Sequence, residues 1–391
     1  MNLTLVISSL QGGGAERVMT NMANHWAAKQ WNITLLTFDD GAIPPFYKLD
    51  SRVRHIPLAV ARQSENIQSA LRNSVNRVWA LRRAICDSRP DAVISFMDKT
   101  NVTTLLATRG SNVPVIISER IDPRMQPIGK LWERLRRVTY IWADLIIVQS
   151  DAALKFFPAS LQARAQVIPN PVLLPPRYRS SKAVNNSLLI SVGRLDHQKG
   201  FDLLLRAFAS VRDRHNEWAL TILGEGPKRR ELESLKNELG LNECVFLPGR
   251  VEDVYQHLAQ ADLFVMPSRY EGFPNALCEA LSCGLPAIST DCPSGPRDII
   301  NDGINGILVA NEDVTALAEA MDRLMGSEVE RNRLAERAFE VTSRFALEKI
   351  MELWEDALVL VKWQRQTTPI ASRRLLADEP KINSAFNVTD Q

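Results

Sequence analysis

"DLFVMPSRYEGFPNALCEALSCGLP", residues 262–286, changes its pattern twice. Residues 262–268 form an apolar run with the character of a strand covered on both faces. A loop containing Glu271 follows, and a helix begins near Pro274 or Asn275, because proline is tolerated in a first helical turn. Glu271 precedes that helix, and Glu279, eight positions on, sits a turn inside it. Two carboxylates so placed are either solvated charges on a surface helix or acceptors that reach one ligand from different sides. Accepting hydrogen bonds from hydroxyls requires no unusual pKa. The neighbouring sequence decides between the two.

Strand-like runs recur on both sides of this stretch and alternate with helix-length segments. In the first half they are "NLTLVISS" (2–9), "NITLLTF" (32–38), a weaker "RVRHIPL" (52–58), "DAVISF" (91–96), "VPVIISE" (113–119) and "DLIIVQS" (144–150), with helices expected over 15–29, 67–88, 100–109 and 128–142. In the second they are "LLISVG" (188–193), "EWALTILG" (217–224), "CVFLPG" (244–249), 262–268, "LPAIST" (285–290) and "GILVA" (306–310), with helices over 200–215, 227–239, 252–260, 274–282 and 313–325. This alternation predicts an α/β chain of two doubly wound, Rossmann-like parallel sheets. "VIPNPVLLPPRYRSSKAVNNS" (167–187) has four prolines, which neither a helix nor an inner strand tolerates, so it reads as a linker. The expected organisation is a first domain over 1–170, a linker over 171–187, a second domain over 188–344, a helix over 345–365 and a mobile polar tail over 366–391.

A chain of 391 residues with 45% hydrophobic and 24% charged residues is neither disordered, fibrous nor a small disulfide scaffold. Cys86, Cys244, Cys278, Cys283 and Cys292 are odd in number and show no CxxC spacing, which points to a reducing cytosol rather than zinc or a redox pair. The start has no basic n-region, so it reads as a buried strand rather than a signal peptide. No apolar stretch approaches the roughly 18 residues of a membrane span. The net charge is only +2, yet residues 1–170 hold 21 Lys or Arg against 13 Asp or Glu, and the remainder 26 against 32. The first half is therefore expected to face something anionic. "GKLWERLRRVTYIW" (129–142) concentrates that charge in Lys130, Arg134, Arg136 and Arg137, interleaved with Trp132, Tyr140 and Trp142. Two readings stand: an amphipathic helix lying on an anionic membrane, or a helix packed by its tryptophans with the arginines in solvent. A pI near 8.3 without a recognisable binding module gives no expectation of nucleic acid.

Ligands of doubly wound sheets bind outside the carboxyl ends of the strands, so the expected site is a cleft between the domains, lined by the loops after each strand. After the first strand, Gly12, Gly13 and Gly14 open a helix, either as a tight turn or as a close approach to an anion. In "GRLDHQKG", Arg194 and Lys199 sit five apart before a helix, either as solvated loop cations or as a clamp on a diphosphate. "ILGEGP" (222–227) and Gly249, Arg250 and Val251 supply further turns after strands. At the start of the helix after Glu271, the backbone N–H groups of Asn275, Ala276 and Leu277 are expected to point into the cleft.

"EGFPNALCE" fits an E-x7-E pattern, and together with "GRLDHQKG" and "GGGAER" it resembles glycosyltransferase family 4, retaining enzymes of the GT-B fold. The resemblance covers residues 1 to about 363. It implies that Arg194 and Lys199 neutralise the donor diphosphate, that Glu279 holds the ribose and that Glu271 contacts the transferred sugar. It further implies that Gly272, Phe273, Pro274, Asn275, Ala276 and Leu277 bind the sugar and β-phosphate, that Arg250 and Val251 flank the base, and that Gly13 and Gly14 approach the donor. The helix over 345–365 looks like the family's terminal helix, which crosses back to the first domain. No metal and no resident cofactor are implied, the cations standing in for a metal. A first-domain histidine common in the family has no counterpart here, since His25 and His55 lie away from strand ends. Glu119 and Arg120, with Asp98 behind them, are instead the candidates to position the acceptor, and "ISERIDP" resembles a subgroup that builds bacterial surface polysaccharides and lipid-linked oligosaccharides. The expectation is a cytosolic enzyme, peripheral on the inner face of the membrane through Lys130, Trp132, Arg136 and Arg137. It would move a hexose or N-acetylhexosamine from a UDP-sugar to an undecaprenyl-diphosphate-linked or polysaccharide acceptor. A sugar-nucleotide epimerase of the same fold and a non-catalytic nucleotide-sugar binder are the alternatives.

Overall fold

A computed structural model describes residues 1–61, 67–175 and 187–367 of the chain. Most of the expected linker, and the tail from residue 368, lie outside the described residues. The chain divides into two compact units, one of Met1–Val148, Leu154–Ile168 and the chain from Leu353, the other of Gln149–Ala153 and Pro169–Glu352.

The first unit is a parallel sheet of β1 (Asn2–Ile7), β2 (Asn32–Thr37), β3 (Arg54–Pro57), β4 (Ala92–Phe96), β5 (Val115–Ser118), β6 (Leu145–Val148) and β7 (Ala165–Val167), in the order β3-β2-β1-β4-β5-β6-β7. All residues of β4, β5 and β6 are buried, as their unbroken apolar runs require of strands covered on both faces. The short β7 carries no apolar run, and the sequence reading missed it. Helices α1 (Gly14–Ala28), α2 (Ile67–Ser88), α3 (Asp98–Ala107) and α4 (Lys130–Thr139) connect the strands, and a short 3-10 turn at Tyr140–Trp142 ends the segment expected to be helical to 142. Right-handed crossovers place α2, α3 and α4 on one side of the sheet and α1 on the other. Accordingly, α3 packs against both α2 and α4.

The second unit holds β8 (Ser187–Val192), β9 (Trp218–Leu223), β10 (Val245–Gly249), β11 (Leu263–Met266), β12 (Ala287–Thr290) and β13 (Ile307–Val309), parallel and ordered β10-β9-β8-β11-β12-β13. Around it run α5 (Phe201–Val211), α6 (Arg229–Glu238), α7 (Asn275–Ser282) and α8 (Val314–Gly326), and the core includes Phe201, Leu204, Phe208, Trp218 and Met321. Both units bear out the doubly wound α/β reading. In each sheet the strand order reverses once, between β1 and β4 and between β8 and β11, and ligands bind at such points. Helix α9 (Leu347–Thr367) begins in the second unit and from Leu353 belongs to the first. There Trp354 packs on Phe96 with ring centroids 5.9 Å apart, and Arg365 donates twice to Asp144 at 2.5 and 2.7 Å.

Candidate functional site

Because β8 and β11 are neighbours, the loops that leave their carboxyl ends meet. The first carries Arg194 and Lys199, the second Glu271. Lys199 Nζ donates to Glu271 Oε1 at 2.6 Å, joining residues 72 positions apart. Ser268 Oγ donates to the same oxygen at 2.6 Å, and Ser294 Oγ to the Glu271 carbonyl at 2.6 Å. Glu271 is buried, so this carboxylate is compensated on the spot rather than by water. Arg194 is 71% exposed and its Nε donates to Asp196 Oδ2 at 2.6 Å. The other oxygen of Asp196 accepts the Lys199 backbone N–H at 3.2 Å, so one aspartate orients the loop that bears both cations.

The two loops are also laced together along their backbones. Gln198 O accepts the Arg269 N–H at 2.8 Å, and Gln198 Nε2 donates to Tyr270 O at 3.0 Å. The buried Arg269 guanidinium donates to His197 O at 2.9 Å and to both oxygens of Asp202 at 2.8 and 2.7 Å. Burial pushes the Asp202 carboxyl upward, but these Arg269 bonds outweigh it and hold the group below its ordinary range. Two glycines permit the close approach. Gly200 has φ +63°, and a Cβ there would lie 2.1 Å from Pro267 O. Gly224 has φ +143°, and a Cβ would lie 1.9 Å from Gly193 O, so "ILGEGP" supports the Arg194 loop from behind. Ser268, Arg269, Asp196 and Asp202 escaped the sequence reading. Arg269 and Asp202 pair across 67 positions, and Asp196 and Ser268 bond within their own loops only as those loops fold, so local pattern carries no signal of either.

Helix α7 starts directly after Pro274, with Gly272, Phe273 and Pro274 buried before it and Glu279 buried in its second turn. The expectation for its N–H groups needs correction. Asn275 N–H bonds Phe273 O at 3.0 Å and Leu277 N–H bonds Pro274 O at 3.1 Å, leaving that of Ala276 for a ligand among the described residues. The Asn275 side chain accepts from Asn170 Nδ2 at 2.7 Å. Arg250 and Val251 follow the edge strand β10, Arg250 exposed and close enough to Glu225 to help lower its pKa, Val251 half-buried.

In the first unit Gly12, Gly13 and Gly14 lead from β1 into α1, with Gly12 at φ +92° and Gly13 in extended backbone. A Cβ on Gly13 would lie 2.4 Å from Glu16 Oε2. Asp98 opens α3 after β4, the strand beside β1, and its Oδ1 accepts the Lys99 N–H at 2.5 Å. Met97, just before it, takes φ +77°, a strained conformation of the kind found at functional sites. Arg120 is buried over the Phe96 ring at 4.1 Å, and burial lowers its pKa to about 9, partly offset by Glu16.

Two expectations for this unit fail on geometry. Glu119 does not present itself to an acceptor: it is buried, accepts Tyr140 Oη at 2.5 Å and lies 3.6 Å from Arg136 Nη1. Burial pushes its carboxyl up to about 7, against the pull of Arg136 and the Tyr140 bond. Arg136 does not face a membrane, because it is buried, 2.6 Å from Glu133 and stacked on Phe156 at 4.9 Å. Trp132 and Trp142 are half-buried beside Lys99 and Arg109, and Tyr140 is fully buried. The exposed side chains of this segment are those of Lys130, Leu131, Arg134, Arg137, Val138 and Ile141. His55 sits on β3 with its Nε2 3.0 Å from Thr37 Oγ1, and His25 lies in the last turn of α1, so neither follows β1 or β4 at the switch point of this unit.

Among the described residues no cluster of His, Cys, Asp or Glu has the makings of a metal site, and no helix is long and apolar enough to cross a membrane. Residues 177–341 match the family described as glycosyl transferases group 1, and residues 13–171 match the glycosyl transferase 4-like domain. The chain is 30% identical, over 93% of its own length and 99% of the relative's, to a Campylobacter jejuni α-1,4-N-acetyl-D-galactosaminyltransferase. That relative is named for its action on a GalNAc-containing glycan carried on diphospho-undecaprenol. In fold it resembles sucrose-phosphate synthase from Thermosynechococcus elongatus, with a TM-score of 0.79 at 19% identity over 92% of this chain and 98% of that one. It also resembles Anabaena HepE solved with UDP, with a TM-score of 0.72 at 18% identity over 92% and 100%. Matches to both halves in the expected order, together with whole-length likeness to a named transferase, leave one conclusion: the chain belongs to glycosyltransferase family 4 and is a GT-B transferase of bacterial glycan biosynthesis.

Proposed function

We propose that the protein is a retaining enzyme that transfers a hexose or N-acetylhexosamine from a UDP-sugar to a glycan carried on undecaprenyl diphosphate. The observation that carries this reading is the convergence of Lys199, Arg194 and Glu271 at the switch point of the second unit. Cleaving a sugar–phosphate bond develops negative charge on the diphosphate, and fixed cations aimed at it lower the barrier. Arg194 and Lys199 take that role in place of a metal. Glu271 accepts from the transferred sugar, Glu279 from the ribose, and the Ala276 N–H meets the β-phosphate. The nucleotide is carried over from HepE, and the acceptor from the Campylobacter relative, whose own substrate is lipid-linked. Arg120 and Asp98 remain the acceptor candidates, since the Glu119 carboxylate is taken up by Tyr140 and Arg136.

The enzyme is proposed to work at the inner face of the cytoplasmic membrane, against anionic lipid. Supporting this, Leu131, Val138 and Ile141 are each more than half exposed on a face whose exposed charges, Lys130, Arg134 and Arg137, are all positive. On the same side of the sheet α2 exposes Trp79 beside Arg83 and Arg72. The reaction is tested by incubating the protein with labelled UDP- and GDP-sugars, with and without lipid-linked acceptor and with and without EDTA. Label reaching lipid only when acceptor is present supports the reading. Isomerised sugar nucleotide without acceptor, or binding without turnover, refutes it, and abolition by EDTA refutes the role given to the cations. Sedimentation with anionic vesicles should weaken in R134Q/R137Q, most visibly at low salt; unchanged sedimentation refutes the membrane face.

A further inference from the structure

We infer that Ser268 is a positioning residue that fixes which oxygen of Glu271 is offered to the donor sugar. This rests on the reading of Lys199 and Glu271 as donor-site residues. Ser268 follows β11, is fully buried, and its carbonyl accepts Thr290 Oγ1 from the end of β12 at 2.5 Å, so its backbone is anchored from the neighbouring strand. Its hydroxyl donates at 2.6 Å to Glu271 Oε1, the oxygen that also accepts Lys199 Nζ. The Glu271 backbone is held in turn by Ser294. Both side-chain donors therefore fall on Oε1, and among the described residues none falls on Oε2. Oε2 is the oxygen left to accept a ligand hydroxyl.

The two donors to Oε1 are not equivalent. The terminal torsion of a glutamate is broad and two-fold, so a carboxylate held by an ammonium alone follows that ammonium wherever it goes. A diphosphate beside Lys199 draws the ammonium toward itself by charge. A buried neutral hydroxyl feels no such pull, and it keeps Oε1 occupied and Oε2 presented while Lys199 turns to the phosphate. The sequence places this serine three residues before Glu271, but only the folded loop aims its hydroxyl at the carboxylate.

The test compares S268A with wild type for kcat, for KM of the donor, for affinity toward UDP alone and for thermal unfolding. We expect kcat to fall about 10- to 100-fold, less than the roughly 100- to 1,000-fold lost with a donor that touches the transition state itself. UDP, which carries no transferred sugar, should bind within about twofold of wild type. In an E271Q background the same serine change should alter the residual rate by less than about threefold, because the group it positions is already compromised. A kcat within about threefold of wild type, a parallel loss of UDP affinity, or an equal loss in both backgrounds overturns the inference. A wild-type protein that turns over no sugar nucleotide refutes instead the reaction on which the inference rests.

Discussion

Replacing Glu119 by Gln removes a buried carboxyl that the fold holds near neutrality. Its pKa rises from an ordinary 4.5 to about 7, chiefly through burial. Arg136 compensates it only in part, because its short contact, at 2.6 Å, is to Glu133, while Glu119 lies 3.6 Å away. A carboxyl whose pKa is higher folded than unfolded favours folding in its protonated form. Its contribution is therefore complete below about pH 4.5 and is lost as pH rises through about 7. At about 1.4 kcal/mol per pKa unit, the loss is of order 2–4 kcal/mol. Gln cannot ionise, so the stability of wild type relative to E119Q should fall by that amount between pH 5 and pH 8, roughly the interval the two pKa values bracket. Urea unfolding of both proteins across this range, followed by tryptophan fluorescence, isolates the effect, since every other titrating group is common to the pair. A pH-independent difference, or one that grows in favour of wild type with rising pH, would show that Arg136 keeps Glu119 ionised throughout.

K199A should lose about 2–4 kcal/mol of transition-state stabilisation, read as kcat/KM for the donor. Near-normal turnover would place the diphosphate elsewhere. G200A forces a Cβ to within 2.1 Å of Pro267 O at φ +63°. It should cost about 1–3 kcal/mol, visible as a lowered Tm, and an unchanged Tm would contradict the packing of the two loops. R136Q leaves Glu119 and Glu133 without their shared cation and should destabilise by about 3–5 kcal/mol, whereas R137Q, exposed one residue on, should change stability by less than about 0.5 kcal/mol. Equal effects of the two substitutions on chemical denaturation would contradict the inward orientation of Arg136.

Much of the architecture was legible locally. Unbroken apolar runs such as 91–96 and 144–150 announce strands covered on both faces, and the Pro274 helix start lies within one residue of its expected place. The segment 129–142 shows the limit. Helical periodicity separates Arg136 from Arg137 by a turn of about 100°, but which of them faces inward depends on Glu119 and Phe156, and neither lies in the segment. The edge strand β7 was missed for a related reason: three half-buried residues have no period to read, and only pairing with β6 makes them a strand.

Local pattern, then, was sufficient for the alternating α/β build, the glycine and cation loops after strands, and the E-x7-E stretch. It left Glu271 and Glu279 equally compatible with a solvated helix. Tertiary structure decided that β8 and β11 lie side by side at the reversal of strand order, which brings Lys199 to 2.6 Å from Glu271 and buries Ser268 beneath them. Strand neighbours are set by crossover connections and by the packing of helices on both faces of the sheet, and those energies belong to no single stretch of chain.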